Sequence, residues 1–175
     1  MAVTTAASAA LPVARFVLRA LIIANWLLGA GIVVLLVALP TKLWILTALH
    51  LSPSAEADGV VAGLRGIAVI GIVAVPLHYL ILRRLLAIVD SVRAGDPFLA
   101  ANASRLQAIA WALLAVQVLG LICGAIVSAI STPAHPIDID AGFSVSGWLA
   151  VLLTFLLARV FAEGTAMRDD LEGTV

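Results

Sequence analysis

Four long apolar runs constrain this fold more than any other feature of the sequence. They cover residues 16–39, 60–82, 106–130 and 143–161, and few charged residues interrupt them. A helix of about 20 apolar residues crosses the roughly 30 Å hydrocarbon core of a bilayer. Within that core a helix satisfies all its own backbone polar groups, whereas an open strand does not. The sequence therefore predicts an all-α, integral membrane four-helix bundle.

The composition excludes several other classes of protein. Hydrophobic residues make up 63% of the 175 residues and charged residues 11%, whereas about a quarter of the residues in a soluble domain are charged. Ten basic residues balance ten acidic ones, so the basic excess of a nucleic-acid-binding protein is missing, and we predict no direct nucleic-acid partner. A single cysteine excludes a disulfide framework and a multi-cysteine metal site.

The positions of the basic residues predict the orientation. Eight of the ten lie before the first run, between the second and third, or at the end of the fourth: Arg15, Arg19, Arg83, Arg84, Arg93, Arg105, Arg159 and Arg168. Loops rich in Lys and Arg stay in the cytoplasm. We therefore expect a multi-pass membrane protein, in contact with membrane lipid, with both termini and the middle loop in the cytoplasm.

The middle loop is expected to be structured. Apolar residues continue at helical spacing from Leu82 to Val92, which predicts that the second helix extends to about residue 94. Gly95 is a typical helix stop, Asp96 a typical N-cap, and Pro97 a typical first helical residue. These signals predict that helices two and three extend into a cytoplasmic hairpin, with helix three starting at Pro97. A compatible alternative is a collar of arginines that reaches lipid phosphates.

The C-terminal segment 162–175 is predicted to be an acidic cytoplasmic tail. Its four acidic residues, against Arg168 alone, are Glu163, Asp169, Asp170 and Glu172. An anionic leaflet repels such a segment, which leaves it available to a protein partner. A frayed, solvated chain end is the alternative.

Two segments carry a resemblance to a known family. The first is Gly95-Asp96-Pro97-Phe98, followed by Asn102 and Arg105-Leu106; the second is Val160-Phe161-Ala162-Glu163-Gly164-Thr165, with the ending Asp170-Leu171-Glu172-Gly173-Thr174-Val175. In these segments the chain resembles the bacterial membrane proteins grouped as domain of unknown function 2975. The resemblance implies a four-helix protein over nearly the whole chain. Some members occur beside small helix-turn-helix repressors, which implies a membrane-bound regulatory role.

Four polar residues within the predicted spans are candidates for function: Asn25, Arg65, His78 and Gln117. Arg65 either contacts an ion or substrate inside the bundle, or reaches the headgroups or an outer-loop aspartate. His78 follows Pro76 and either switches with pH or simply forms a hydrogen bond. The two amides are expected to bond across helices.

Small residues predict close helix approach at Gly59 and Gly63, and at Gly120, Gly124 and Ser128. In the predicted outer loops, His135, Asp138 and Asp140, with His50, leave divalent-cation binding open, although an ordinary polar loop is favoured. We predict no cofactor.

The sequence contains no catalytic motif, and we expect a protein that is not an enzyme. The favoured hypothesis is a regulatory or interaction protein of the bacterial inner (cytoplasmic) membrane. It would present Arg83, Arg84, Arg93 and Arg105, with Asp169 and Asp170, to a cytoplasmic regulatory protein or to anionic lipid. The alternative is a small transporter or channel subunit that acts as a homo-oligomer.

Overall fold

The described part of the chain forms four long helices. The computed structural model describes residues 2–38, 55–96, 98–131 and 142–172. The helices are α1 (Ala2–Ala38), α2 (Ala55–Arg93), α3 (Ala100–Ile130) and α4 (Val145–Glu172), and no strand occurs in the described ranges. Each helix contains a segment long and apolar enough to cross a membrane. The prediction of an all-helical protein with four apolar helices is confirmed, and such helices indicate a multi-pass membrane protein.

The helices pack in chain order. Within the described ranges, close backbone contacts join α1 to α2, α2 to α3 and α3 to α4. Each pair is antiparallel: in the α2–α3 pair, Ser91 lies against Asn102 near the turn, while Gly63 lies against Ile130 at the other end. The longest series of buried residues belongs to α3, which lies between two neighbours. The core therefore follows α3, whereas α1 is exposed at most of the positions between residues 11 and 37.

Glycines allow two of these helix pairs to approach closely. A β-carbon at Gly63 would lie 2.6 Å from Cγ2 of Ile130, so the predicted close approach at this residue is confirmed. At Gly59 a β-carbon would meet nothing within 4 Å. On the other side of α2, a β-carbon at Gly29 of α1 would lie 3.0 Å from Val75. Because lipid tails give little hydrophobic drive for helix association, such close packing determines how near these helices approach each other.

The turn between α2 and α3 begins as predicted at Gly95, which has a φ of +87°. Its N–H donates to the carbonyl of Val92 (3.1 Å), and the N–H of Asp96 donates to the carbonyl of Ser91 (3.2 Å). These two bonds form a Schellman motif, in which a left-handed residue ends the helix and satisfies its last carbonyls.

The predicted start of the next helix is wrong. Helix α3 begins at Ala100, its N-cap is Leu99, and no side chain caps it. Asp96 belongs to the end of α2 instead, and its carboxylate accepts a hydrogen bond from Nη1 of Arg168 at 2.8 Å. Pro97, the other half of this prediction, lies outside the described residues. The carboxylate of Asp96, which the local sequence predicted to be a helix cap, thus forms a tertiary ion pair instead.

Replacing Gly63 with alanine tests the α2–α3 contact. We expect Gly63→Ala to lower the free energy of unfolding by about 1–3 kcal/mol, because its methyl group would overlap the branched side chain of Ile130. The matched control is Gly59→Ala, one turn earlier on the same helix, where the methyl group has space. The measurement is the midpoint of thermal unfolding in detergent. Equal midpoints for the two variants would contradict the assigned contact.

Candidate functional site

One end of the structure gathers three separate parts of the chain. The Nε atom of Arg15, on α1, lies 3.1 Å from Oδ1 of Asp90 on α2. Nη1 of Arg168, on α4, lies 2.8 Å from Oδ1 of Asp96 in the turn. Partly exposed ion pairs of this kind contribute only about 0–1 kcal/mol each, so here they show which parts of the chain meet rather than account for its stability. We name this region, the 94–99 turn with the adjoining helix ends, the hairpin end.

A polar latch of Ser91, Asn102 and Arg105 joins α2 to α3 at the hairpin end. Asn102 is 0% exposed, and its Nδ2 donates to Oγ of Ser91 at 2.8 Å. Nη1 of Arg105 donates to Oδ1 of Asn102 at 2.7 Å and to the carbonyl of Ala87 at 3.2 Å. A buried amide without partners would cost about 1–3 kcal/mol. The latch therefore fixes how α2 and α3 align, and it holds the Arg105 guanidinium in place.

The end of α4 packs onto the turn. The ring of Phe98 stacks on Phe161 with the ring centroids 5.7 Å apart, and a β-carbon at Gly164 would lie 4.0 Å from Cδ1 of Phe98. Thr165 is buried, and its hydroxyl group bonds to the carbonyls of Phe161 and Ala162, each at 2.9 Å. Residues 162–172 are consequently helical rather than frayed.

These contacts bring together the two segments that carry the family resemblance. Gly95 ends α2, Asn102 closes the latch, and Phe98 meets Phe161 across the turn. Sequence reasoning did not predict this meeting. The available signal was the pairing of aromatic and small residues in both segments, since Gly164 leaves space for the ring of Phe98.

The predicted contact residues divide into three groups. Arg83, Arg84 and Arg93 are exposed, and no hydrogen bond or ion pair joins them to another described residue. Arg105 is half-buried and bonded within the latch. Asp169 and Asp170 belong to α4, but their side chains lie outside the described residues.

A cavity of about 470 Å³ lies beside this group, and we name it the arginine recess. Its lining residues share one face of α2 and the facing part of α3: Pro76, Tyr79, Leu80, Arg83, Arg84, Ala87 and Arg105. Three of the seven are arginines, and none is acidic. Sequence reasoning grouped these arginines by their side of the membrane but did not predict a common cavity.

The polar residues of the spans do not converge on one site. Nδ2 of Asn25 donates to the carbonyl of Val75 at 3.1 Å, which is the cross-helix bond expected of this amide. Nδ1 of His78 lies 2.8 Å from the carbonyl of Ala74 in its own helix. Arg65 is exposed and bonds to no other described residue, and it lies about 15 Å along α2 from Val75 at 1.5 Å per residue.

Gln117, on α3, faces α4 rather than α2. Its side-chain amide group packs directly over Gly147 of α4, at the place where a β-carbon would stand. This contact brings α3 and α4 together but is separate from Asn25 and His78. The outer-loop candidates His50, His135, Asp138 and Asp140 lie outside the described residues.

Replacing Asn102 with alanine tests the latch. We expect Asn102→Ala to lower the free energy of unfolding by about 1–3 kcal/mol, because Arg105 loses a buried acceptor and a cavity forms. Amide hydrogen exchange should also accelerate between residues 88 and 106. Ser104→Ala is the matched control, since Ser104 is exposed and bonds only within its own turn. Protection equal to that of the control would contradict the latch.

Comparison with known proteins assigns the chain to a family. No curated protein and no solved structure matches it. One family model matches residues 67–175, more than half of the chain, from the middle of α2 to the C-terminus. Both motif segments lie inside this range, which is shorter than the nearly complete coverage that the resemblance implied. The chain belongs to the family described as "Protein of unknown function (DUF2975)".

Proposed function

We propose that this protein is a bacterial inner-membrane regulatory or interaction protein, whose hairpin end binds a cytoplasmic partner protein. The observation that carries the proposal is the packing of α4 onto the α2–α3 turn through Phe98 and Phe161. This packing joins two distant parts of the chain into one surface. We name its exposed residues the hairpin platform: Arg93, Phe98, Leu99 and Met167.

The chemistry of the hairpin platform favours a protein partner. Phe98 and Met167 are 50% and 63% exposed, and their chain neighbours Asp96 and Arg168 form an ion pair. The nearby Arg168–Asp96 ion pair argues against burial of this region in hydrocarbon, where charged groups are costly. Lipid therefore does not account for these apolar surfaces. Aromatic residues, methionine and arginine are enriched where proteins meet.

The cytoplasmic placement of the hairpin platform rests on the distribution of charge. Eight of the ten basic residues lie in three segments: before or near the start of the first apolar run, between the second and third apolar runs, and at the end of the fourth. The contacts of Arg15 with Asp90, and of Arg168 with Asp96, support a common end for those segments. The tendency of basic loops to stay in the cytoplasm then favours that side of the membrane.

A transporter or channel subunit has less support. Transport sites in membrane proteins gather polar residues around one pathway. In this protein Asn25 and His78 bond to neighbouring carbonyls of α2, Gln117 packs towards α4, and Arg65 lies well away along α2. We therefore favour the interaction function.

The orientation can be tested by cysteine labelling in intact cells. In a Cys123→Ser background, a membrane-impermeant maleimide should label Asp58→Cys from the periplasm. It should label Arg93→Cys only after the inner membrane is permeabilised, because residues 58 and 93 lie at opposite ends of α2. Both side chains are exposed, so accessibility within the protein is matched. Labelling of position 93 from the periplasm would show that the orientation is the reverse of the proposed one, and the proposed function would be overturned.

The hairpin platform can be tested by crosslinking in cells followed by purification. We expect the double variant Arg93→Glu with Leu99→Ser to reduce capture of the partner about tenfold or more, as when interface anchors are lost. The matched control is Arg19→Glu, an exposed arginine on α1 that does not belong to the hairpin platform. Capture that is unchanged in the double variant, or equally reduced in the control, would contradict this surface.

A further inference from the structure

We propose that the arginine recess is a binding site for the phosphate group of an anionic phospholipid. The recess combines three arginines, Arg83, Arg84 and Arg105, with apolar lining residues in a volume of about 470 Å³. The inference shares with the proposed function the position of the hairpin end at a leaflet surface, but it requires no partner protein.

The charge of the recess matches a phosphate group. Its described lining contains no carboxylate, and the nearby Asp90 is paired with Arg15. Arg83 and Arg84 are exposed and bond to no other described residue, so their donors are available to a ligand. Guanidinium groups bind phosphate oxygens through paired, charge-assisted hydrogen bonds. Without a ligand the three positive charges repel each other, and a bound anion would relieve that repulsion.

Arg105 is held in position before a ligand binds. A guanidinium carries five N–H donors, two of them on Nη1. In Arg105 these two hydrogens are used by Oδ1 of Asn102 and the carbonyl of Ala87. The donors on Nε and Nη2 make no hydrogen bond to another described residue, so they can serve a ligand in the recess. A donor already fixed by a buried partner loses less conformational entropy on binding, which favours affinity.

The walls of the recess favour a lipid over free phosphate. Pro76 and Leu80 line it on the side away from the turn, and Val69 and Val73 continue the same face of α2 as exposed apolar residues. From Val69 to Arg83 this stripe is about 20 Å long at 1.5 Å per residue. One leaflet contributes about half of a roughly 30 Å hydrocarbon core. The stripe can therefore accommodate an acyl chain while the headgroup phosphate occupies the arginines.

Lipid binding to the purified full-length protein in detergent tests this proposal. Native mass spectrometry would compare phosphatidylglycerol with phosphatidylcholine carrying the same acyl chains. The recess variant is Arg83→Gln with Arg84→Gln. The matched control is Arg19→Gln with Arg159→Gln, which removes the same charge from exposed positions outside both the recess and the hairpin platform. We expect the recess variant to bind phosphatidylglycerol about tenfold or more weakly, and the control to keep its affinity within about twofold.

Three results would overturn the proposal. Equal losses in the two variants would show diffuse attraction to charge rather than a site. Equal binding of the two lipids would show that the anionic headgroup is not recognised. Displacement of phosphatidylglycerol by an equal concentration of inorganic phosphate would identify a free-phosphate site. Thermal midpoints that match the native protein in both variants would show that the fold is retained, as expected for substitutions of exposed arginines.

The lipid site and the hairpin platform can fail independently. The variant Arg93→Glu with Leu99→Ser should lose the protein partner and keep the lipid. The recess variant should keep the partner and lose the lipid. Loss of both by either variant would contradict the separation of the two surfaces.

Discussion

The buried amide of Asn102 is the interaction on which the hairpin end depends. It is fully enclosed between α2 and α3, where an unpaired polar group would be costly, and it finds Ser91 on one helix and Arg105 on its own. The free energy of apolar contact between lipid-facing helices changes little when one helix slides along the other, because lipid tails replace side chains at little cost. A buried hydrogen-bond network does depend on this position, because a shift of one residue along the helix would break its bonds. The latch therefore supplies the alignment that apolar packing alone leaves undetermined.

From this alignment the rest of the hairpin end follows. With α2 and α3 aligned, the Schellman motif at Gly95 directs the chain so that Phe98 meets Phe161, and α4 continues alongside the turn to Glu172. The same alignment brings Arg105 beside Arg83 and Arg84. One buried asparagine thus contributes to two surfaces, a cationic cavity along the helices and an exposed platform at their end. Because the helices pack in chain order, α1 and α4 each keep broad apolar faces, as expected for helices that contact lipid.

The parts of this structure that were predictable from sequence are those that local physics determines. Four apolar helices follow from composition and the need to satisfy backbone groups in lipid, and the end of α2 follows from Gly95. The cap assigned to Asp96 was wrong because a residue 72 positions away, Arg168, competes for its carboxylate. Likewise, α4 continues past residue 161 because Thr165 is buried and Phe161 has a partner, and neither fact is visible locally. The arginines could be assigned to a common end, but their common cavity depends on the latch.

The distinction between motif residues and exposed residues bears on where function resides. Gly95, Phe98 and Asn102, which carry the family resemblance, have structural tasks: a positive φ, a ring contact and a buried hydrogen-bond network. Such residues preserve an architecture whatever that architecture binds. Arg83, Arg84 and Arg93 lie outside both motif segments and project from the framework that the motifs build. The motif residues therefore account for the scaffold of this protein, while the exposed arginines remain available for the proposed lipid and partner.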